Sequence, residues 1–256
     1  MPTDFRQTIT DAIEICYRVF AKYEAPATWH ASPERNLEEL LAALTSVPLR
    51  ELSDDTLGTY AFWAMTTVGD PEHYKHFLPR ILELATMSGQ TWPGLGGWLI
   101  AGKLEMAHWR EWPPEEIGAV EHAFLAGWSH LVSNRSGFIE AADWFEGIIK
   151  IKTILPQSFE IWHLAPEKNA ALAISNVVGR IEKMVFFPDS LERHKERLDE
   201  TTRQSLVAWL MTVVRPRLWD VFARVTFEDS FASYSVAQAI GMLDRAAAAQ
   251  SNAKEY

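Results

Sequence analysis

The chain has 256 residues, 24 Lys+Arg against 34 Asp+Glu, and a formal net charge of −10. A hydrophobic fraction of 48% and a charged fraction of 23% describe a globular protein with a sizeable core and exclude extended disorder. The acidity is lopsided: residues 1–128 hold nine basic and eighteen acidic side chains, and residues 129–256 hold fifteen and sixteen. That first half repels phosphate backbones, which sets nucleic acid aside as its partner and favours a cationic protein.

In chain order, the first predicted helix spans residues 4–23. Its apolar stripe Ile9, Ile13, Cys16, Tyr17, Phe20 makes the single cysteine a buried, inert thiol and leaves no disulfide framework. The opening Met-Pro-Thr-Asp-Phe-Arg has no basic region followed by an apolar run, so no secretory signal is expected. A second helix is predicted to start near Ser32-Pro33, with Ser32 as its cap. A third follows Ser53, with Asp54 and Asp55 in its first turn, where carboxylates oppose the positive end of the dipole. A fourth opens at Gly69-Asp70-Pro71.

Residues 84–102 are the longest charge-free stretch, but Ser88, Gly89, Gln90, Pro93 and further glycines interrupt it. It is not a membrane span, and the chain reads as cytoplasmic. Further helices are predicted over residues 98–112, 114–133, 136–155, 166–185, 190–214 and 231–249. Pro156 and Pro166 bracket a short helical turn. Pro216 is expected to break or kink the chain before a last stretch at 217–225, and residues 250–256 to fray. No alternating strand pattern and no long Ser/Gly/Pro linker appears. The reading is a single all-α domain over 1–256, of ten to twelve helices in antiparallel pairs, with an irregular closed bundle as the alternative.

Two helices with their turns take roughly forty residues here, close to the period of helical arrays. Within residues 60–84 the Gly69-Asp70-Pro71 turn, between an Ala-containing helix and one ending in Leu84, resembles the inter-helix turn of HEAT-like repeats. The likeness implies a short solenoid of stacked pairs. The segment His76-Phe-Leu-Pro-Arg-Ile-Leu-Glu-Leu84 also resembles one found in a group of bacterial helical proteins with no established activity, which implies a bacterial origin and carries no catalytic residue across.

Two Glu-x-x-His pairs, Glu105/His108 and Glu160/His163, place a carboxylate and an imidazole three residues apart, as in the di-iron sites of helical bundles. Eight His yield on the order of one such pair by chance, and the second pair sits in a segment too short for a bundle helix. His73 and His76 share the same spacing in the fourth helix, at the margin of the stripe Tyr74, Phe77, Ile81, Leu84. Gly127-Trp-Ser-His lacks the second glycine of a nucleophile elbow and no strand precedes it. Gly94-Leu-Gly96-Gly97 has neither the strand nor the spacing of a phosphate loop, so a packing or flexible loop is the expected role of these glycines.

Of the eleven Trp, Trp63, Trp128, Trp144 and Trp209 lie in apolar stripes and are expected in the core. Trp29, Trp92, Trp112 and Trp162 lie near Pro, Gly or helix ends and are offered either as interface anchors or as seals between helix layers. With no complete catalytic set and no cofactor expected, the leading reading is a non-catalytic helical scaffold that binds a basic protein. An immunity-type inhibitor of a cationic bacterial toxin belongs to that class. Its binding residues are expected at Glu34, Glu38, Glu39, Glu51, Asp54, Asp55, Trp29 and Trp63. A metal-dependent helical enzyme using Glu105, His108, Glu160 and His163 is the alternative.

Overall fold

Helix starts follow the capping chemistry of the chain. The computed structural model describes residues 5–29, 36–87, 93–134, 138–190, 197–227 and 230–252; Ser32, Pro33, Glu34 and Trp92 lie outside them. The fold is all-α: among the described residues there is no strand, only one isolated bridge between Ala64 and Val68. No helix of the described residues is long and apolar enough to cross a membrane. The chain is gathered into two compact units, Met1–His130 with Asp143–Leu155, and Leu131–Ala142 with Pro156–Tyr256.

In the first unit, α1 (Phe5–Phe20) buries Ile9, Ile13, Cys16 and Phe20. The Cys16 Sγ donates to the Ala119 carbonyl at 3.4 Å, and burial pushes its thiol up to about 12, so it is no nucleophile. The second helix, α2 (Leu37–Thr45), starts later than Ser32 suggests. Asn36 is its cap, accepting from the Glu39 N–H while its amide donates to the Glu39 carboxylate, a reciprocal pair of the capping-box kind.

Helix α3 (Asp54–Trp63) is capped by Ser53, whose hydroxyl accepts from the Thr56 N–H. Helix α4 (Pro71–Met87) is capped by Asp70, whose Oδ1 accepts from the Glu72 and His73 N–H groups at 3.0 Å each. Gly69 stands at φ +68°, a conformation that glycine adopts without strain. Helix α1 packs on α4, and α3 packs on α2 and α4.

Helix α5 (Gly97–Met106), α6 (Pro114–Ser133) and α7 (Phe138–Ile151) meet around Trp144. A Cβ on Gly97 would lie 2.7 Å from the Trp144 Cα, and one on Gly127 would lie 2.6 Å from its ring. Gly147 in turn faces the Gly97 backbone, where a Cβ would reach the carbonyl carbon at 2.7 Å. These glycines are therefore where helix backbones and one indole touch, and the indole N–H is satisfied by the Phe124 carbonyl at 2.9 Å.

In the second unit, α8 (Leu155–Leu164), α9 (Glu167–Phe186), α10 (Glu200–Trp209), α11 (Arg215–Arg224) and α12 (Ser230–Asn252) replace the predicted pattern in two places. The helix expected over 190–214 does not begin at Ser190. Residues 197–199 are not helical, and Asp199 starts α10 by accepting from the Thr202 N–H at 2.9 Å. Pro216 does not break the chain, because Leu210–Val214 widens into a π-helix and the Arg215 N–H bonds the Leu210 carbonyl five residues back. The wider turn accommodates the ring and the missing donor of Pro216. The segment bracketed by Pro156 and Pro166 is a full ten-residue helix. Its exposed end is held by Arg217, which donates to the Trp162, His163 and Ala165 carbonyls at 2.8–3.0 Å and lies over the Trp162 ring at 4.6 Å.

Of the tryptophans near helix ends, Trp29, Trp112 and Trp162 are internal. Trp162 is fully buried and bonds the Ala170 carbonyl, Trp112 is buried and bonds the Ala107 carbonyl, and Trp29 is 7% exposed. For Trp112 the acceptor is the Ala107 carbonyl at the C-terminal end of α5, where helix carbonyls lack an intrahelical donor. Trp128, Trp144 and Trp209 are buried as expected, Trp63 is half-buried, and the most exposed of the described tryptophans are Trp98 and Trp219.

Gly147→Ala is expected to lower stability by about 1–3 kcal/mol, since the added methyl forces α7 away from α5. A urea midpoint equal to that of the parent protein would show that the contact at Gly97 is not tight.

Candidate functional site

The acidic side chains expected to bind a partner occupy one run of the first unit. Glu38 and Glu39 lie in the first turn of α2, Glu51 in a short 3-10 turn (Leu49–Glu51), and Asp54 and Asp55 in the first turn of α3. Glu38, Glu39, Glu51 and Asp55 are exposed and Asp54 is half-buried. Between residues 36 and 74 the chain carries seven carboxylates and a single Lys or Arg, Arg50. Arg50 turns away from them: both Nη atoms bond the Glu14 carboxylate at 2.6 and 2.7 Å, and the guanidinium stacks on Tyr17 at 3.7 Å. Hydrogen bonding to Arg50 holds Glu14 below its ordinary range. Glu83 is likewise taken up by Arg80 at 2.8 Å, whereas no ion pair engages Glu38, Glu39, Glu51, Asp54 or Asp55 among the described residues.

The two tryptophans assigned to this surface are not equivalent. Trp29 packs against Tyr60, His73 and Phe77, with ring centroids 5.0–6.0 Å apart, so it belongs to the core and offers no face to a partner. Trp63, at the end of α3, is half-buried.

A second charged centre lies inside the same unit, and the sequence reading missed it. Glu116, in the first turn of α6, is fully buried. Its two oxygens meet Lys22 at 2.7 Å and Lys75 at 2.8 Å, and the Tyr23 hydroxyl donates to it at 2.7 Å. The Lys75 ammonium also donates to the Tyr23 hydroxyl at 2.9 Å and sits 4.2 Å from the Trp112 ring. Burial opposes ionisation of Glu116, but the hydrogen bonds from Lys22, Lys75 and Tyr23 outweigh it and its carboxyl titrates below the usual range. The N-terminal end of α6 adds a positive dipole to the same effect. Every strong donor here faces an acceptor, which makes the set a clamp joining α1, α4 and α6. The signal in the sequence is a charge in an apolar stripe: Lys75 with Leu78 and Leu82, and Glu116 with Val120 and Ala123. Lys103 follows the same pattern on α5; it is 3% exposed and donates to the Ala64 carbonyl at 2.6 Å, a cation at the C-terminal end of α3.

The Glu-x-x-His pairs do not present metal-binding faces. Glu105 accepts from Trp109 and Arg110, and His108 lies past the end of α5 in a left-handed conformation, φ +50°. Glu160 and His163 are exposed on α8. His73 is 3.3 Å from the Asp70 carboxylate and His76 Nδ1 is 2.8 Å from the Tyr23 carbonyl. Among the described residues no group of three or more His, Cys, Asp or Glu is placed to hold a metal ion. No protein-family model, no curated protein and no solved structure matches this chain.

Glu116→Gln leaves Lys75 buried beside a neutral group and is expected to cost about 3–5 kcal/mol near pH 7. The folded-state value of Glu116 lies below the unfolded one, about 4.3. The stabilisation is therefore complete above the unfolded value and lost as pH falls through the folded one. Stability measured against pH should show the gap between parent and variant closing only in acid; a gap that is constant with pH would mean the carboxylate charge is not what holds the helices.

Proposed function

We propose that the protein is a non-catalytic helical scaffold, built of HEAT-like helix pairs, that binds a basic protein through the acidic surface of α2, the 49–51 turn and α3. The observation that carries this is the local charge imbalance: the one arginine of residues 36–74 is bound to Glu14, and four exposed carboxylates and the half-buried Asp54 have no ion pair among the described residues. Like charges held together on a folded surface repel one another and are relieved when a cationic partner arrives. The interior is consistent with a binding protein, because Cys16, Lys75 and Glu116 are each enclosed and engaged. A bacterial cytoplasmic inhibitor of a cationic toxin, of the immunity type, joins an acidic docking surface to a rigid helical frame.

Surface charges of this kind chiefly accelerate encounter, while buried contacts govern release. Asp54→Lys with Asp55→Lys is expected to slow association at least several-fold at low salt and to flatten its salt dependence, with little change in dissociation. The measurement is association kinetics against salt concentration with the partner recovered by pull-down from the native host. Association that does not depend on salt, or a footprint confined to residues 129–256, would contradict the proposal.

A further inference from the structure

Helix α12 carries little charge for a helix with a solvent face. At the chain's charged fraction of 23%, its 23 residues would hold about five charged side chains, and they hold two, Asp244 and Arg245. Val236, Ile240 and Leu243 are buried on one side, where α12 packs on α9 and α11. The opposite side carries Phe231, Tyr234, Gln238, Gly241, Arg245 and Ala248, separated by alternate steps of three and four residues, the spacing of a helix–helix seam. Phe231 and Tyr234 are 60% and 59% exposed, and Gln238 and Ala248 are exposed on either side of the half-buried Gly241. The solvent face of a helix is ordinarily its charged one, and exposed apolar side chains that are grouped mark contact surfaces.

The two charges differ in their engagement. Asp244 is taken up by Arg215 of α11 at 2.6 Å, with the Trp219 Nε1 at 3.5 Å. The Arg245 side chain is 67% exposed and reaches Glu182 only at 3.8 Å. Its guanidinium lies back along the seam, since a Cβ on Gly241 would stand 3.6 Å from Nη1. The seam therefore runs from two aromatic rings at its N-terminal end, past Gln238 and the bare backbone of Gly241, to one guanidinium, and it holds no carboxylate. Reversed, it is complementary to itself: a guanidinium is attracted to an aromatic face, and glycine lets a second backbone come close.

We propose that this face of α12 is a self-association surface, on which a second copy of the chain packs its own α12 in the opposite direction. The midpoint between Tyr234 and Arg245 falls between Gln238 and Gly241. A two-fold axis there sets each Tyr234 opposite the guanidinium of the other copy and closes the pair as a dimer. A parallel pairing would set Arg245 against Arg245. The net charge of −10 makes two copies repel, and a seam without carboxylates adds nothing to that repulsion. This interface belongs to the second unit and does not rest on the acidic surface of α2 and α3.

Sedimentation of the full chain over about 1–100 μM measures the association, whose extent depends on protomer concentration. The parent protein is expected to be dimeric at the upper end of that range. Tyr234→Lys sets like charges opposite each other and is expected to weaken the dimer at least about tenfold, whereas Tyr234→Glu, facing Arg245, is expected to hold it within about threefold of the parent. Net charge alone gives the reverse order, since Lys lowers the overall repulsion and Glu raises it. Position 234 is exposed, so both variants are expected to melt within about 2 °C of the parent. In an Arg245→Gln background the difference between Lys and Glu at position 234 should disappear. A parent protein that stays monomeric throughout the range, a dimer indifferent to both substitutions, or one weakened more by Glu than by Lys would overturn the proposal.

Discussion

The first unit turns on a carboxylate removed from water. Glu116 sits at the head of α6 with no exposed surface and is tolerated there because Lys75, Lys22 and Tyr23 converge on it. The cost of burying such a charge is several kcal/mol and is offset only when the geometry is close and the remaining lone pairs are occupied. The geometry is close, with Lys22 and Tyr23 on one oxygen and the Lys75 ammonium 2.8 Å from the other, and it fixes the segment after α1, the start of α4 and the start of α6 relative to one another. Trp112 and Phe20 then close over the lysine, with their rings 6.0 Å apart, edge to face.

The same unit sorts its charges by use. Glu14, Glu83, Glu105 and Glu116 each have a basic partner and tie elements together, whereas the carboxylates of α2, the 49–51 turn and α3 have none among the described residues. Helix capping accounts for part of their placement, since acidic residues in a first turn oppose the helix dipole. It does not account for the lack of basic residues around them. Arg50, the one basic residue between positions 36 and 74, is committed to Glu14, and this separation of paired from unpaired carboxylates among the described residues is the physical basis of the binding proposal.

Local chemistry was legible in the sequence where it acts within a few residues. Ser53, Asp70 and Pro114 mark helix starts because capping and the tolerance of Pro in a first turn are local effects. The stripe through Cys16 and that through Tyr74, Phe77 and Ile81 follow from helical periodicity alone. What escaped the reading depends on groups distant in the chain. Trp29, Trp112 and Trp162 look peripheral by position, but each is covered by segments that the sequence does not place beside it. Lys75 and Glu116 are 41 positions apart, and neither reveals the other except as a charge at a core position. Pro216 reads as a breaker until the π turn before it is seen to absorb the proline. The acidic surface was legible as composition, while its isolation from Arg50 required the Glu14 contact, 36 residues away.

The claim that the buried pair organises the first unit is tested most directly by a double-mutant cycle between Lys75 and Glu116. Lys75→Met and Glu116→Leu should each lower unfolding stability by about 3–5 kcal/mol, because each leaves the opposite charge buried without its main partner. The two together should cost much less than the sum of the two losses, giving a coupling of a few kcal/mol. Additive losses, or single variants as stable as the parent protein, would contradict the account.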